Sequence, residues 1–206
     1  LGVDRTLLIT PLVIFIVGIA NVYSASFRTG MTPDQTLASK QIIWMCVAVG
    51  AMLAVSRFNY LRLSDLAWPL YVLSIVLLVA VLFTPPRLGA RRWLHLGLFS
   101  FQPSELAKLA VILVLARYFS ENRIEYQSRA KAVLPFLIVG VPFLLILKEP
   151  DLGTGLLLMP AFFAMLYLWG FKGRLILGMV ALGLASSPVF FHFLREYQRN
   201  RILVFL

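Results

Sequence analysis

Two adjacent arginines, a Glu–Lys pair and an aspartate in a tight turn are the side chains of this sequence best suited to chemistry. Arg91 and Arg92 lie near the start, and Glu105 and Lys108 at the end, of the run GARRWLHLGLFSFQPSELAK, residues 89–108. Asp151 lies in KEPDLGT, residues 148–154. A guanidinium presents planar, two-pronged donors that match phosphate or carboxylate oxygens. Glu105 and Lys108 are three residues apart on a helix that starts at Gln102-Pro103-Ser104, so they share a face and can pair. Proline suits a helix's first turn, and an acidic side chain suits its positive end. Asp151 is placed to cap the helix that follows it, and a capping carboxylate can also face a ligand. These types at these spacings suit an anion and the stabilisation of charge developing on it. The competing structural reading is that the cations snorkel to lipid headgroups and that Glu105–Lys108 is only an ion pair at the bilayer edge.

Other chemistries find no support. His95 and His192 have no His or Cys companion at ligand spacing, so no metal site is expected. There is no GxxxxGK[ST] phosphate loop and no GxGxxG, and the serines lack a nucleophile-elbow context. No nucleic-acid partner is expected. Cys46, the single cysteine, excludes an intrachain disulfide.

The elements that hold these residues must be membrane helices. The chain is 60% hydrophobic and 14% charged, with a mean hydropathy of +0.87, and so few polar side chains cannot cover a water-facing surface. About 20 apolar residues span the hydrocarbon as a helix. Thr6–Phe27, Leu66–Pro86, Leu152–Phe171 and Leu175–Leu194 are uncharged, as are the shorter Gln41–Ser56 and Ala132–Leu147. Ser104–Ser120 is apolar after its first turn. The expected fold is all-α and polytopic, with seven transmembrane helices in one domain over residues 1–206. Trp44, Trp68, Trp93 and Trp169 fall near span ends, as an interfacial belt would. No cleavage site follows the first apolar stretch, which reads as a helix rather than a leader. Neither Leu1 nor Leu206 reads as a natural terminus, and the domain is expected to be truncated on its C-terminal side.

Orientation by charge returns a tie. With the N-terminus in the cytoplasm, nine Lys or Arg residues fall on each side, Lys108 lying in a span, whereas an excess is expected inside. The dense basic loop Arg117–Lys131 belongs in the cytoplasm on this reading. Gly89–Pro103, Lys148–Leu152 and Arg195–Arg201 then face outward together, three cationic loops around one anionic ligand.

At these segments the sequence resembles a known family. GARRWLHLGLFSFQPSELAK, PDLGT and YQRNRI are similar to three signatures of the SEDS (shape, elongation, division and sporulation) proteins, and the resemblance runs from the first span to the end of the chain. It implies the first seven of about ten helices. The PDLGT and YQ-x-x-RI forms are closer to the elongation branch than to the division branch.

The resemblance implies a peptidoglycan glycosyltransferase of the bacterial cytoplasmic membrane that polymerises lipid II on its outer face during elongation. Its donor leaves as a lipid diphosphate, which the cations would bind. Arg92 stands at the motif's usual arginine and Arg91 at a more variable one. Glu105, Lys108 and Asp151 match positions the family retains. Inversion at the sugar calls for one carboxylate base. The family's aspartate for that role follows the YQ-x-x-RI segment, beyond Leu206, and Glu196 does not match it. No cofactor is evident, although the resemblance admits a divalent cation on the diphosphate. The implied partner is a class B penicillin-binding protein with transpeptidase activity. The alternatives are a lipid II flippase, a scaffold for the transpeptidase, or a division- or sporulation-specific member of the family.

Overall fold

The computed structural model describes residues 5–28, 37–57, 59–85, 90–96, 99–122, 129–193 and 199. Each of the seven apolar segments becomes a helix: α1 (Arg5–Arg28), α2 (Leu37–Ser56), α4 (Ala67–Val81), α5 (Pro103–Glu121), α6 (Arg129–Lys148), α7 (Leu152–Leu168) and α8 (Gly173–Phe193). A short helix, α3 (Tyr60–Asp65), leads into α4, and the strands β1 (Leu94–Leu96) and β2 (Phe99–Phe101) precede α5. These segments are rich in Val and Ile, yet they are helical. In lipid every backbone N–H and C=O must be bonded internally, which outweighs the modest helix propensity of β-branched residues.

The chain forms two compact units, Leu1–Asn59 and Tyr60–Leu206. The first is the α1–α2 pair. In the second, α5 is the central helix, packed on α4, α6 and α7. Ala107, Val111, Val114 and Leu115 of α5 are buried with Leu78 of α4, Ile138 and Ile146 of α6, and Leu158, Phe162 and Leu166 of α7. The Tyr71 hydroxyl donates to the Ile138 carbonyl at 3.1 Å and ties α4 to α6. Near the C-terminal end of α5, Arg117 donates to Glu121 at 2.8 Å and to the Ser64 carbonyl at 2.9 Å, with Asp65 3.9 Å away. The cation of that end is thus fully engaged with α3 and with its own helix.

Helix ends follow local chemistry. The apolar segment continues to Pro86, but α4 stops at Val81, because Leu82, Phe83 and Thr84 bond back three residues and the Thr84 hydroxyl takes the Val81 carbonyl at 2.7 Å. Pro85 disfavours the helical conformation at Thr84 and prevents resumption. α7 ends at Gly170, whose φ of +105° suits only glycine. There the Gly170 and Phe171 N–H groups donate to Tyr167 and Leu166.

Among the described residues no helix is long and apolar enough to cross a membrane on its own. α4 and α7 have 15 and 17 residues, and α5 carries Glu105, Lys108, Arg117 and Glu121. The remaining surface is nevertheless apolar: Ile14, Ile43, Val72, Leu144, Leu168 and Leu182 are all exposed, more than a water-facing monomer tolerates. One aromatic departs from the expected belt. Trp169 is buried, its ring stacked on Phe119 at 4.7 Å, and it serves the core rather than the interface.

Removing packing at the centre is expected to cost far more than removing it at the rim. Leu115→Ala leaves a cavity among four helices and is expected to cost about 2–5 kcal/mol. Leu109→Ala, on the exposed face of the same helix, is expected to change stability little. Thermal midpoints of both variants in detergent check this.

Candidate functional site

The site is built on two helix starts. Gln102, extended at φ −102° and ψ 108°, precedes α5, and Pro103 occupies the first helical position. Asp151 is the N-cap of α7. Its carboxylate accepts from the Thr154 N–H at 3.4 Å and from the Thr154 hydroxyl at 2.8 Å, which satisfies donors that the first turn leaves unbonded. The Gln102 amide donates to the same carboxylate at 3.1 Å and to the Ser104 hydroxyl at 2.9 Å. The cap residues of α5 and α7 are therefore bonded to each other, and two positive helix ends lie side by side.

The β1–β2 hairpin delivers the arginines to this junction. It pairs antiparallel with Leu94 opposite Phe101, His95 opposite Ser100 and Leu96 opposite Phe99, so residues just before β1 return beside the start of α5. Arg92 Nη2 donates to the Pro150 carbonyl at 2.7 Å, and Arg92 Nε lies 3.7 Å from the Asp151 carboxylate. About a fifth of the Arg92 side chain stays accessible. Arg91 binds the Leu82 carbonyl instead, at the C-terminus of α4, where a cation complements the dipole. Two neighbouring arginines thus do different work: Arg92 spans the α6–α7 turn, and Arg91 fastens the hairpin to α4.

Glu105 and Lys108 pair as their spacing predicts, 3.0 Å apart, with 56% and 24% of their side chains exposed. A pair this open contributes little to stability, about 0–1 kcal/mol, so its charges are available to a ligand. Of the expected site residues, the structure brings Arg92 and Asp151 into direct contact, places Glu105 and Lys108 on the first turns of the adjoining helix, and gives Arg91 a separate anchor. In the YQRNRI segment only Arg199 is described. Its guanidinium donates to the Phe191 and His192 carbonyls at the end of α8 and lies 5.6 Å from the Phe191 ring. Arg195, Glu196 and Arg201 lie outside the described residues.

Two members of the site were missed by sequence reasoning. The amide of Gln102 precedes a helix-starting proline, and that position was the available signal. Glu149 gives no such signal, because an acid between Lys148 and Pro150 reads as an exposed turn. It is fully buried. Its backbone N–H bonds the Leu145 and Ile146 carbonyls, which turns the side chain inward. Neither carboxylate oxygen has a hydrogen-bond partner among the described residues. Burial, then the neighbouring Asp151 charge, push its carboxyl up to about 8 against the opposing pull of Arg92. Glu149 is accordingly protonated at neutral pH, and Asp151 is the carboxylate that faces Arg92.

Losing the two kinds of carboxylate is expected to have unequal effects on stability. Asp151→Ala removes a cap and contacts with three side chains, those of Thr154, Gln102 and Arg92, and is expected to cost about 0.5–2 kcal/mol from the cap alone. Glu105→Gln is expected to cost less, because its partner remains solvated. Thermal unfolding of both variants gives the comparison.

The chain matches the FtsW/RodA/SpoVE cell cycle protein family over residues 4–206. It is 36% identical over 186 residues to the peptidoglycan glycosyltransferase RodA of Treponema pallidum (strain Nichols), covering 89% of this chain and 42% of that one. It is 32% identical over 205 residues to the peptidoglycan glycosyltransferase MrdB of Escherichia coli (strain K12), covering 98% of this chain and 54% of that one. The chain thus spans about half the length of the curated relatives it matches. A chain of a solved peptidoglycan synthase complex, described as coordinating polymerization and crosslinking, superposes with a TM-score of 0.80 at 32% identity, over 99% of this chain and 59% of that one. Helices from apolar segments, two joined helix starts and the matched length lead to one conclusion: this polytopic α-helical membrane protein belongs to the FtsW/RodA/SpoVE family, the SEDS proteins.

Proposed function

We propose that the chain is part of a peptidoglycan glycosyltransferase that polymerises lipid II on the outer face of the bacterial cytoplasmic membrane, with the α5–α7 junction binding the diphosphate of the donor. The observation that carries this reading is the Gln102–Asp151 bond, which sets two helix N-termini side by side with Arg92 across them. Aligned N-termini attract phosphate, and Arg92 adds a guanidinium whose geometry suits its oxygens. As the glycosidic bond to the diphosphate breaks, negative charge grows on the leaving group. Donors already held in place stabilise it without reorganising. Lys108, partly exposed beside Glu105, is a further cation on the same helix start.

The acceptor hydroxyl must lose its proton to a base, and this junction does not supply one. Asp151 is taken up by Thr154, Gln102 and Arg92, and Glu105 lies on the outer face of α5, paired with Lys108 rather than turned toward Arg92 and Asp151. We assign the base to residues following Leu206, as the resemblance implies. Among the described residues no group of three or more His, Cys, Asp or Glu side chains comes together to hold a metal ion.

The likeness to proteins named for peptidoglycan glycosyltransfer supports the polymerase reading, and the solved synthase complex supports a crosslinking partner, which we take to be a class B penicillin-binding protein. Placement in the elongation branch rests on the PDLGT and YQ-x-x-RI forms. A flippase would need an anion path to both faces, whereas the Arg117 charge near the far end of α5 is tied up by Glu121, Asp65 and Ser64.

Two outcomes test the proposal. Arg92→Ala in the full-length protein removes a charge-assisted contact of about 1.5–3 kcal/mol, so polymerisation of labelled lipid II is expected to fall roughly ten- to a hundredfold. Arg92→Lys is expected to recover only part, because an ammonium lacks the fork. Arg91→Ala is expected to cost less activity and to lower the thermal midpoint, since its anchor is Leu82. Wild-type rates in Arg92→Lys at all lipid II concentrations would leave the snorkelling account standing. Topology is the second outcome. Single cysteines at the exposed Trp93, Ser100 or Lys148 in a Cys46→Ala background are expected to react with an impermeant thiol reagent on intact cells, and a cysteine at the exposed Glu121 is not. The reverse pattern inverts the site.

A further inference from the structure

Glu149 takes no part in the reading above, yet it is the most unusual polar group of the second unit. It is fully buried, both its oxygens are unbonded among the described residues, and it lies two residues from Asp151 in the turn that Arg92 spans. A structural carboxyl buried at such cost normally finds donors. Here the backbone N–H groups nearby are already used by Leu145 and Ile146, and the Gln102 amide goes to Asp151 and Ser104. The charged groups acting on Glu149 are Asp151, which repels it, and Arg92, which attracts it. Lys148 is exposed at the end of α6, and α5 brings to this turn the uncharged Gln102.

We propose that Glu149 is a positioning residue for Arg92: uncharged within the turn, it leaves the guanidinium to Asp151 and to the donor's diphosphate, and when it ionises it draws Arg92 away from both. Arg92 binds the carbonyl of the residue that separates the two acids, and its charge acts on both. Arg92 is held on one side by Asp151 and at its tip by the Pro150 carbonyl, the residue between the two acids. A second carboxylate charge here would satisfy the guanidinium from inside the protein and lower the positive potential that the helix starts offer to phosphate. The inference rests on the diphosphate reading for its effect on substrate, and on burial and charge alone for its effect on Arg92.

The sign of the pH dependence follows from the raised carboxyl. Between about 4.5 and about 8 the folded protein holds a proton on Glu149 that the unfolded chain releases. The stability contribution of this group therefore falls as pH rises through that window and is level above it. Glutamine keeps the shape of the protonated acid and cannot ionise.

The test uses the full-length protein in detergent, as wild type, Glu149→Gln and Arg92→Met. Thermal midpoints are read from pH 5 to 9.5, and KM and kcat for lipid II polymerisation from pH 6.5 to 9.5. In the wild type, KM is expected to rise about tenfold from neutral to pH 9.5, the equivalent of one charge-assisted contact, with kcat less affected. In Glu149→Gln the KM profile is expected to be flat, and the midpoint is expected to lose the part of its decline that lies between pH 5 and 8. Arg92→Met removes the attraction that holds the acid's titration down, so its midpoint is expected to keep declining above pH 8. Parallel KM profiles in wild type and Glu149→Gln overturn the proposal, as does a midpoint curve that Arg92→Met leaves in place. Should no polymerisation occur at any pH, the diphosphate reading fails, and the Arg92→Met curve still decides whether the two side chains are coupled.

Discussion

One hydrogen bond organises the second unit of this chain, the 3.1 Å contact from the Gln102 amide to the Asp151 carboxylate. It joins the cap of α5 to the cap of α7, two helices separated in sequence by α6. Their packing alone would bring the axes together but would not align the ends. The shared carboxylate fixes both starts at one level and gives Arg92 a charge to stand against. The hairpin, the α6–α7 turn and the first turns of α5 and α7 all depend on this join. The opposite end of α5 is held by a cation, Arg117, bonded to α3 and to its own helix. The central helix is thus pinned by polar contacts at each end and by apolar packing between them.

Much of this was legible before the fold. Unbroken apolar runs placed all seven long helices, because in lipid the backbone must bond to itself, and length and absence of charge then mark a helix more surely than periodicity does. Capping chemistry placed Asp151 and Pro103 at helix starts, and the i, i+3 spacing gave the Glu105–Lys108 pair. What the sequence did not show depends on contacts across the chain. The hairpin from Leu94 to Phe101 is three residues a side and carries no alternation long enough to signal a strand. Its role becomes visible only once α5 is packed against α7.

Three further cases show the same dependence on environment. Trp169 stands at a helix end, where an indole usually meets the interface, but Gly170 turns the chain so that the ring stacks on Phe119. Arg91 and Arg92 are chemically identical neighbours, and their division of labour comes from which carbonyl each reaches, Leu82 or Pro150. Glu149 carries no signal of enclosure in its neighbours Lys148 and Pro150, and it is enclosed because the backbone of the turn folds back on α6. In each case the side-chain type was visible in the sequence, and the environment came from the folded backbone, near in sequence for Glu149 and Arg91 and distant for Arg92 and Trp169.

The shortness of α7 has a consequence for the surrounding lipid. Its 17 residues, fixed between Asp151 and the stop at Gly170, rise about 25 Å, several ångströms less than a hydrocarbon core of about 30 Å. A bilayer meeting such a helix relieves the mismatch by thinning around it. If the thinning falls on the Asp151 side, the headgroup layer dips toward Arg92 and the two joined helix starts. The depth of a spin label at Leu152, read against quenchers carried at known positions on the lipid, measures that dip; a label at the undisturbed headgroup level would show that α7 tilts or shifts instead.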